Sequence, residues 1–387
     1  MIINLDKIPN IEFDPLRGGC RVEELRQSVL NYLYESKNSA ICKNNKVFII
    51  KCAQYKGLYQ VSIADILGES IIKSIQNREI MLCIDCSSEA HYGMVDVTYE
   101  IANNLNLPKS QILLISSSTD LGDYVKEKYT EHIHTESYDH FEKLAQRQIK
   151  SYKFTDHVKP TEYKKKFICL NRMLRDHRVA LLHLLYEYDL FKDGHISCPT
   201  IEDYHKYAPA LQVKENVHEL MRNTFPKLAD RLNYDNEINA MLPLIVDTNQ
   251  IMEFNLAYGL PQNFGLEPYY TTSYFSVVSE TYFFNNNPTF ITEKIYKPIA
   301  YKHPFIVSGT YNILKHLRSK GYKTFDGIID ESYDSVVDET ERLLMIVKEI
   351  KRLSSLSNEE VIDFNNRIKD IVDYNQQVLL NKKNFIQ

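Results

Sequence analysis

Glycine is scarce, at 12 of 387 residues, and the shortage removes whole classes of binding site. No Gly-x-Gly-x-x-Gly and no Gly-x-x-x-x-Gly-Lys-Ser/Thr occurs. Both motifs need glycine so that backbone N–H groups can approach phosphate closely, so neither a dinucleotide fingerprint nor a phosphate-cradling P-loop is available. Long apolar runs are missing too, and nothing approaches the length that spans a bilayer. The N-terminal Met-Ile-Ile-Asn-Leu-Asp lacks the basic stretch, apolar core and cleavage site of a secretory signal, so work in the cytoplasm is expected.

Cysteine chemistry is equally thin. Seven cysteines are scattered, and the Cys-x-x-Cys of Cys83 and Cys86 falls inside the apolar run Ile80–Cys86. A redox pair belongs at a helix start, where the dipole lowers a thiol pKa, so core packing is the reading here. His132 and His134 have no partner at zinc spacing beyond His140 and read as solvated loop or strand-edge histidines. The net charge of -5 and pI of about 6.2 give no strong footprint for nucleic acid or anionic lipid.

What is present is an alternation of strands and helices. Lys46–Lys51, Glu79–Cys86 and Gln111–Ser116 read as strands, with Leu25–Tyr34 and Val95–Leu105 as helices. Strand, helix, strand at these lengths implies right-handed crossovers and a parallel sheet. A polar stretch, Tyr152–Lys166, reads as a linker. A second unit follows, with strands at Phe167–Leu170, Tyr274–Val278 and Pro304–Val307 and a helix at Arg178–Tyr188. Between them Ser197–Gln250 is poorly patterned, with Leu242–Val246 as its one strand candidate. Leu343, Leu344, Ile346, Val347 and Ile350 carry one closing helix. Val361, Phe364, Ile368 and Ile371 carry another, opened by Ser357 and Glu360 at capping-box spacing. The expectation is an α/β protein with an N-terminal Rossmann-like domain over 1–155 and a C-terminal one over 156–387, facing across a cleft.

Ligands on such sheets bind beyond the carboxyl ends of strands. Asn171, Arg172, Arg175, His177 and Arg178 directly follow the strand Phe167–Leu170. Several cations beside a helix N-terminus suit a pyrophosphate; the alternative is an exposed basic helix start. The strand after Tyr274 ends in Glu280, and Phe290-Ile-Thr-Glu-Lys-Ile opens a helix with Thr292 at the N-cap position. Lys294 in the first turn opposes the helix dipole unless an anion shares the site. Glu280 and Glu293 suit ribose or sugar hydroxyls, or simply cap the helix start.

This segment resembles the donor-binding half of the α-1,3-fucosyltransferase-type family. In that family a strand ending in Glu-Asn precedes a Thr-Glu-Lys helix start, and an Asn-then-Arg segment after the domain's first strand helps hold the donor phosphates. Glu280, Thr292, Glu293, Lys294, Asn171 and Arg178 match in kind. Thr281 replaces the family's Asn and Lys297-Pro298 its smaller residues, so neither base nor sugar is inherited with the motif. The resemblance covers the last 220 residues or so, best over Tyr274–Asp334. It implies a GT-B glycosyltransferase that takes a nucleotide-sugar donor and inverts at the anomeric carbon. Asp-x-Asp, which holds a divalent cation on the diphosphate in metal-dependent transferases, does not occur, so no metal or other cofactor is expected. Lys294 and the arginines would replace the metal.

The general base is expected on the N-terminal sheet. Glu89 is the first candidate and Asp85 the second, with His91 assisting either and Asp120 after the next strand. The expected acceptor is a saccharide. A second reading keeps the chemistry but makes the acceptor a hydroxymethylated DNA base, reached by flipping, with Lys46–Lys56 and Lys164–Lys166 lining a groove. A third is a nucleotide-sugar-binding module without turnover.

Overall fold

A computed structural model describes residues 2–4, 46–51, 63–87, 90–151, 163–171, 173–200, 217–244 and 266–381. They fall into two compact units: Met1–Lys143 with Asn286–Phe290 and Lys383–Gln387, and Leu144–Asn285 with Ile291–Lys382. Both are α/β with parallel sheets, as the alternation predicts. Most of the expected linker and the helix expected at Leu25–Tyr34 lie outside the described residues.

The first unit's sheet has strands β1 (Ile2–Asn4), β2 (Lys46–Lys51), β3 (Met81–Cys86), β4 (Ile112–Ser116) and β5 (His134–Ser137), in that spatial order. β1 is antiparallel to β2, and the other pairs are parallel. Helices α1 (Ile63–Gln76), α2 (Gly93–Asn104) and α3 (Leu121–Lys128) alternate with the strands, and α4 (His140–Ser151) follows β5, with its residues from Leu144 on belonging to the second unit. Ile84 lies in register with Ile50 on one side and Leu114 on the other, and all three are buried. A strand covered on both faces must be apolar along its whole length, which is why β3 and β4 read as continuous runs. Fully burying each such side chain stabilises the fold by about 1.5–3 kcal/mol. Cys83 and Cys86 are buried in this core, and burial, with Asp85 adding to it, pushes the Cys83 thiol well above the usual range.

The second unit's sheet has β6 (Phe167–Leu170), β7 (Gly194–Ser197), β8 (Phe275–Ser279) and β9 (Phe305–Ser308), all parallel, in the order β7-β6-β8-β9. Its helices are α5 (Asp176–Glu187), α6 (Val217–Thr224), α7 (Asp235–Met241), α8 (Glu267–Thr271), α9 (Glu293–Ala300), α10 (Ile313–Ser319), α11 (Glu339–Ser354) and α12 (Asn358–Asn381). β7 is an addition to the sequence reading, and so are α6 and α7 within the poorly patterned stretch. β7 is four residues long and opens on Gly194, where a Cβ would sit 2.5 Å from the Phe167 ring. Glycine there marks close approach to the neighbouring strand. In place of a strand at Leu242–Val246 there is a single bridge between Leu244 and Cys198, and residues 245–246 lie outside the described set. The capping box forms as expected: Ser357 N–H donates to Glu360 Oε2 at 2.8 Å and Glu360 N–H to Ser357 Oγ at 3.3 Å.

The strand order decides where a ligand fits. From β6 the chain moves to β7 on one side, then returns to β8 on the other. Such a reversal splays the connections apart and leaves a crevice beyond the carboxyl ends of the two strands that flank it. In this sheet those strands are β6 and β8.

Candidate functional site

The residues that follow β6 and β8 meet around Glu280, whose side chain is fully buried. Glu280 Oε1 accepts from Thr292 N–H at 3.1 Å. Its Oε2 accepts from Thr292 Oγ1 at 2.6 Å and from Thr281 N–H at 3.1 Å. The carboxylate thus staples the end of β8 to the start of α9. Thr292 is the N-cap, with Oγ1 accepting from Lys294 N–H at 3.4 Å. Burial raises the Glu280 carboxyl, against the Lys294 charge and the Thr292 hydrogen bond.

Lys294 Nζ reaches Thr292 Oγ1 and Glu293 Oε1 at 3.0 Å each, and Thr281 Oγ1 at 3.3 Å. Its side chain is 23% exposed, so the ammonium is half sunk in the rim rather than solvated. Glu293 supplies the nearest compensating charge. Burial pushes the Glu293 carboxyl up, but Lys294 and Lys297 outweigh it and hold it down at about 2.

Across the crevice, Asn171 N–H donates to Ser197 O at 3.0 Å, which ties β6 to β7 at the rim. Arg178 is buried, and its guanidinium turns onto backbone carbonyls: NH2 donates to Ser279 O at 3.0 Å and Glu280 O at 2.8 Å, and NH1 to Met173 O at 3.2 Å. Burial first, then the Arg175 charge, lowers Arg178 to about 10, so it stays charged at neutral pH. His177 Nε2 donates to Glu280 O at 3.1 Å, and its ring stacks on Phe283. Burial and the charges of Arg178 and Arg175 hold His177 well below the ordinary imidazole value, so it is neutral.

Its charge, its place after β6 and the family resemblance all suggested Arg178 as a phosphate clamp. The structure spends most of its donors on fixing β8's end. Among the described residues Arg175, only partly buried, keeps an unpartnered donor in Nε, whereas Lys294, with three partners for its three donors, would exchange one of them for a ligand. Arg172 lies outside the described residues.

Several polar atoms at this rim are buried without a hydrogen-bond partner among the described residues: Asn171 Oδ1, Ser197 Oγ, Ser308 Oγ, Thr310 Oγ1, Arg175 Nε and Arg178 Nε. An unmet buried polar group costs about 1–3 kcal/mol. They follow or end β6, β7 and β9, so the unmet capacity gathers on one edge of one sheet. Ser197, Ser308 and Thr310 carried no signal in the sequence, because serine and threonine at strand ends are common and only the sheet order brings them together.

In the first unit, Asp85 is the next-to-last residue of β3 and is buried. Its Oδ1 accepts from Ser87 N–H at 3.0 Å, and Oδ2 has no hydrogen-bond partner among the described residues. His91 Nδ1 accepts from Gly93 N–H at 2.9 Å, which leaves the proton of the neutral ring on Nε2. Burial lowers its pKa, against the Asp96 charge. Asp120 is committed elsewhere, accepting from Ser118 Oγ and from Thr289 N–H at 2.9 Å. Glu89, the first candidate base, lies outside the described residues. Among the described carboxylates of this rim, Asp85 keeps the most accepting capacity.

No helix of the described residues is long and apolar enough to cross a membrane. No family model and no curated protein matches the chain. Among solved structures, the crystal structure of a UDP-forming α,α-trehalose-phosphate synthase from Burkholderia xenovorans is similar at 11% identity and a TM-score of 0.39, over 94% of this chain and 78% of that one.

Proposed function

We propose that this chain is a GT-B-type glycosyltransferase, which moves a sugar from a nucleotide-sugar donor to an acceptor hydroxyl, with the donor diphosphate at the β6–β8 crevice. The observation that carries the reading is the convergence, where the order of the second sheet's described strands reverses, of Arg175 and Lys294 with unmet buried polar groups. A diphosphate suits it: an anion offsets cations held in a low-dielectric rim, and its oxygens accept from guanidinium, ammonium and hydroxyl donors. The resemblance to the fucosyltransferase-type donor half, carried by Glu280 and Thr292-Glu293-Lys294, points the same way.

In the proposed reaction the acceptor oxygen attacks the anomeric carbon while the bond to the diphosphate breaks. The electron pair leaves with the diphosphate, where Lys294 and Arg175 offset the growing charge. Arg178, Glu280 and Asn171 position the rim, and Glu293 is assigned to ribose or sugar hydroxyls. The acceptor proton goes to a carboxylate of the first unit, Asp85 or Glu89. Inversion follows from the direct displacement, no metal is assigned to the diphosphate, and the place of work is the cytoplasm. The acceptor is taken to be a saccharide.

Thermal-shift screening against a panel of nucleotide sugars tests the reading, because a ligand that binds only the folded state raises its melting temperature. At least one nucleotide sugar should stabilise the protein and be consumed when acceptors are added. A panel with no stabilising member would overturn the proposal.

A further inference from the structure

Away from the β6–β8 crevice, three side chains on three helices of the second unit point their ligating atoms at one spot. His183 lies in the middle of α5 and is fully buried. His218 is near the start of α6, and Asp235 opens α7. His183 Nε2 is 3.0 Å from His218 Nδ1, His218 Nδ1 is 3.5 Å from Asp235 Oδ1, and Asp235 Oδ1 is 3.9 Å from His183 Nε2. A point at the centre of that triangle is about 2.0 Å from all three atoms, which is the bond length of zinc to imidazole nitrogen and carboxylate oxygen. With one ligand atom taken from each residue, the three lie within 4.8 Å of one another.

We propose that His183, His218 and Asp235 form a zinc-type divalent cation site that pins α6 and α7 onto α5. Two imidazoles and one carboxylate are borderline donors, which suit zinc or cobalt rather than calcium or magnesium. The outer groups are already in place. His218 Nε2 lies 3.2 Å from Asn239 Oδ1, one turn along α7 from Asp235. Donation to that amide keeps the proton on Nε2 and the lone pair on Nδ1, facing the ion, as second partners of metal-bound histidines do. Arg222 NH1 holds Asp235 at 2.8 and 3.0 Å from its two oxygens and fixes the carboxylate's orientation. Asp235, 32% exposed, gives the ion a way in from solvent.

Without an ion the same groups form a chain of neutral hydrogen bonds: Tyr234 N–H to His183 Nδ1 at 3.3 Å, His183 to His218, and His218 to Asn239. The two states differ by one tautomer shift. The His183 proton moves from Nε2 to Nδ1, and the long contact from Tyr234 is given up. The ion's role is structural. It holds the helices inserted between β7 and β8 against α5, whose first turn carries His177 and Arg178. The site shares no residue with the proposed donor crevice, and its test needs no enzymatic readout.

The experiment titrates zinc, and separately cobalt, into the full chain without an affinity tag after chelator treatment. Calorimetry should show about one equivalent bound per chain, cobalt should give the visible absorption of a four-coordinate site, and zinc should raise the melting temperature. Asp235→Asn and His218→Ala should each lower zinc affinity by more than about tenfold, and Asn239→Ala by about 10–100-fold with the three ligands intact. If His218→Ala fails to fold, the wild-type titration and Asn239→Ala still decide. A wild-type chain that takes up no zinc at micromolar concentration, or variants that bind it as wild type does, would show that the cluster is only the neutral hydrogen-bond chain.

Discussion

The two sheets are built on the same alternation yet present different rims. In the first, the described strands lie side by side in chain order from β1 to β5, with no reversal. Its described strand ends carry Asp85, Ser87, Ser117, Ser118 and Asp120, a set of acceptors and hydroxyls. In the second, the order β7-β6-β8-β9 reverses between β6 and β8, and the same rim position carries Arg175, Arg178 and Lys294 around a buried Glu280. Strand order locates the crevice, and the charge at the strand ends decides what it takes. The proposed anionic donor is matched to the cations of the second rim, and the proposed proton abstraction to the carboxylates of the first.

The comparison breaks most visibly at the base. Asp85→Asn keeps the shape and removes the proton acceptor, so single-turnover transfer should fall about 10²–10⁴-fold if Asp85 is the base. Glu89→Ala is the companion, and whichever variant keeps the wild-type rate is excluded from that role. A double loss would mean that one carboxylate orients the other.

On the cationic rim the expected effect is smaller. Lys294→Ala removes one charge-assisted contact and should weaken nucleotide binding by about 1.5–3 kcal/mol. Arg178→Lys should act differently. It loses the fork that holds Ser279 O and Glu280 O, so melting temperature should drop together with affinity. A drop in affinity at unchanged melting temperature would make Arg178 a direct ligand contact.

Acidity sharpens the contrast further. His177 is buried neutral with its pKa held well below the unfolded value. Below about pH 6.5 the unfolded chain takes up a proton that the folded one refuses, so stability falls as pH falls, by at most about 1.4 kcal/mol per pH unit for this one group. Denaturant unfolding between pH 7.5 and 5.5 should show that slope, and His177→Gln should reduce it. The smallest effect is expected from EDTA, which should leave turnover largely intact at temperatures well below melting. Loss restored only by magnesium or manganese would put a cation on the diphosphate.

The sequence carried the parts of this picture that depend on local pattern. Lys46–Lys51 and Phe167–Leu170 agree with β2 and β6 end for end, because short apolar runs between polar turns have few other solutions. The N-cap at Thr292 and the capping box at Ser357 were equally legible, since both are set within four residues. Partnerships across the fold were not. Glu280 binds Thr292 twelve positions away across an irregular loop, and Arg178 turns to carbonyls more than a hundred residues on. β7 is too short and too polar at His195 to stand out. His183 and His218, 35 residues apart, show no spacing that a linear motif would register.

One titration decides whether the donor sits at the second sheet's reversal, as proposed, or on the first sheet. The nucleotide sugar that stabilises the wild-type protein is titrated into wild type, Lys294→Ala and Asp85→Asn under identical salt. Affinity should be about 10–100-fold weaker for Lys294→Ala and close to wild type for Asp85→Asn. Unchanged affinity in Lys294→Ala together with lost binding in Asp85→Asn would place the donor on the first sheet and contradict the proposal.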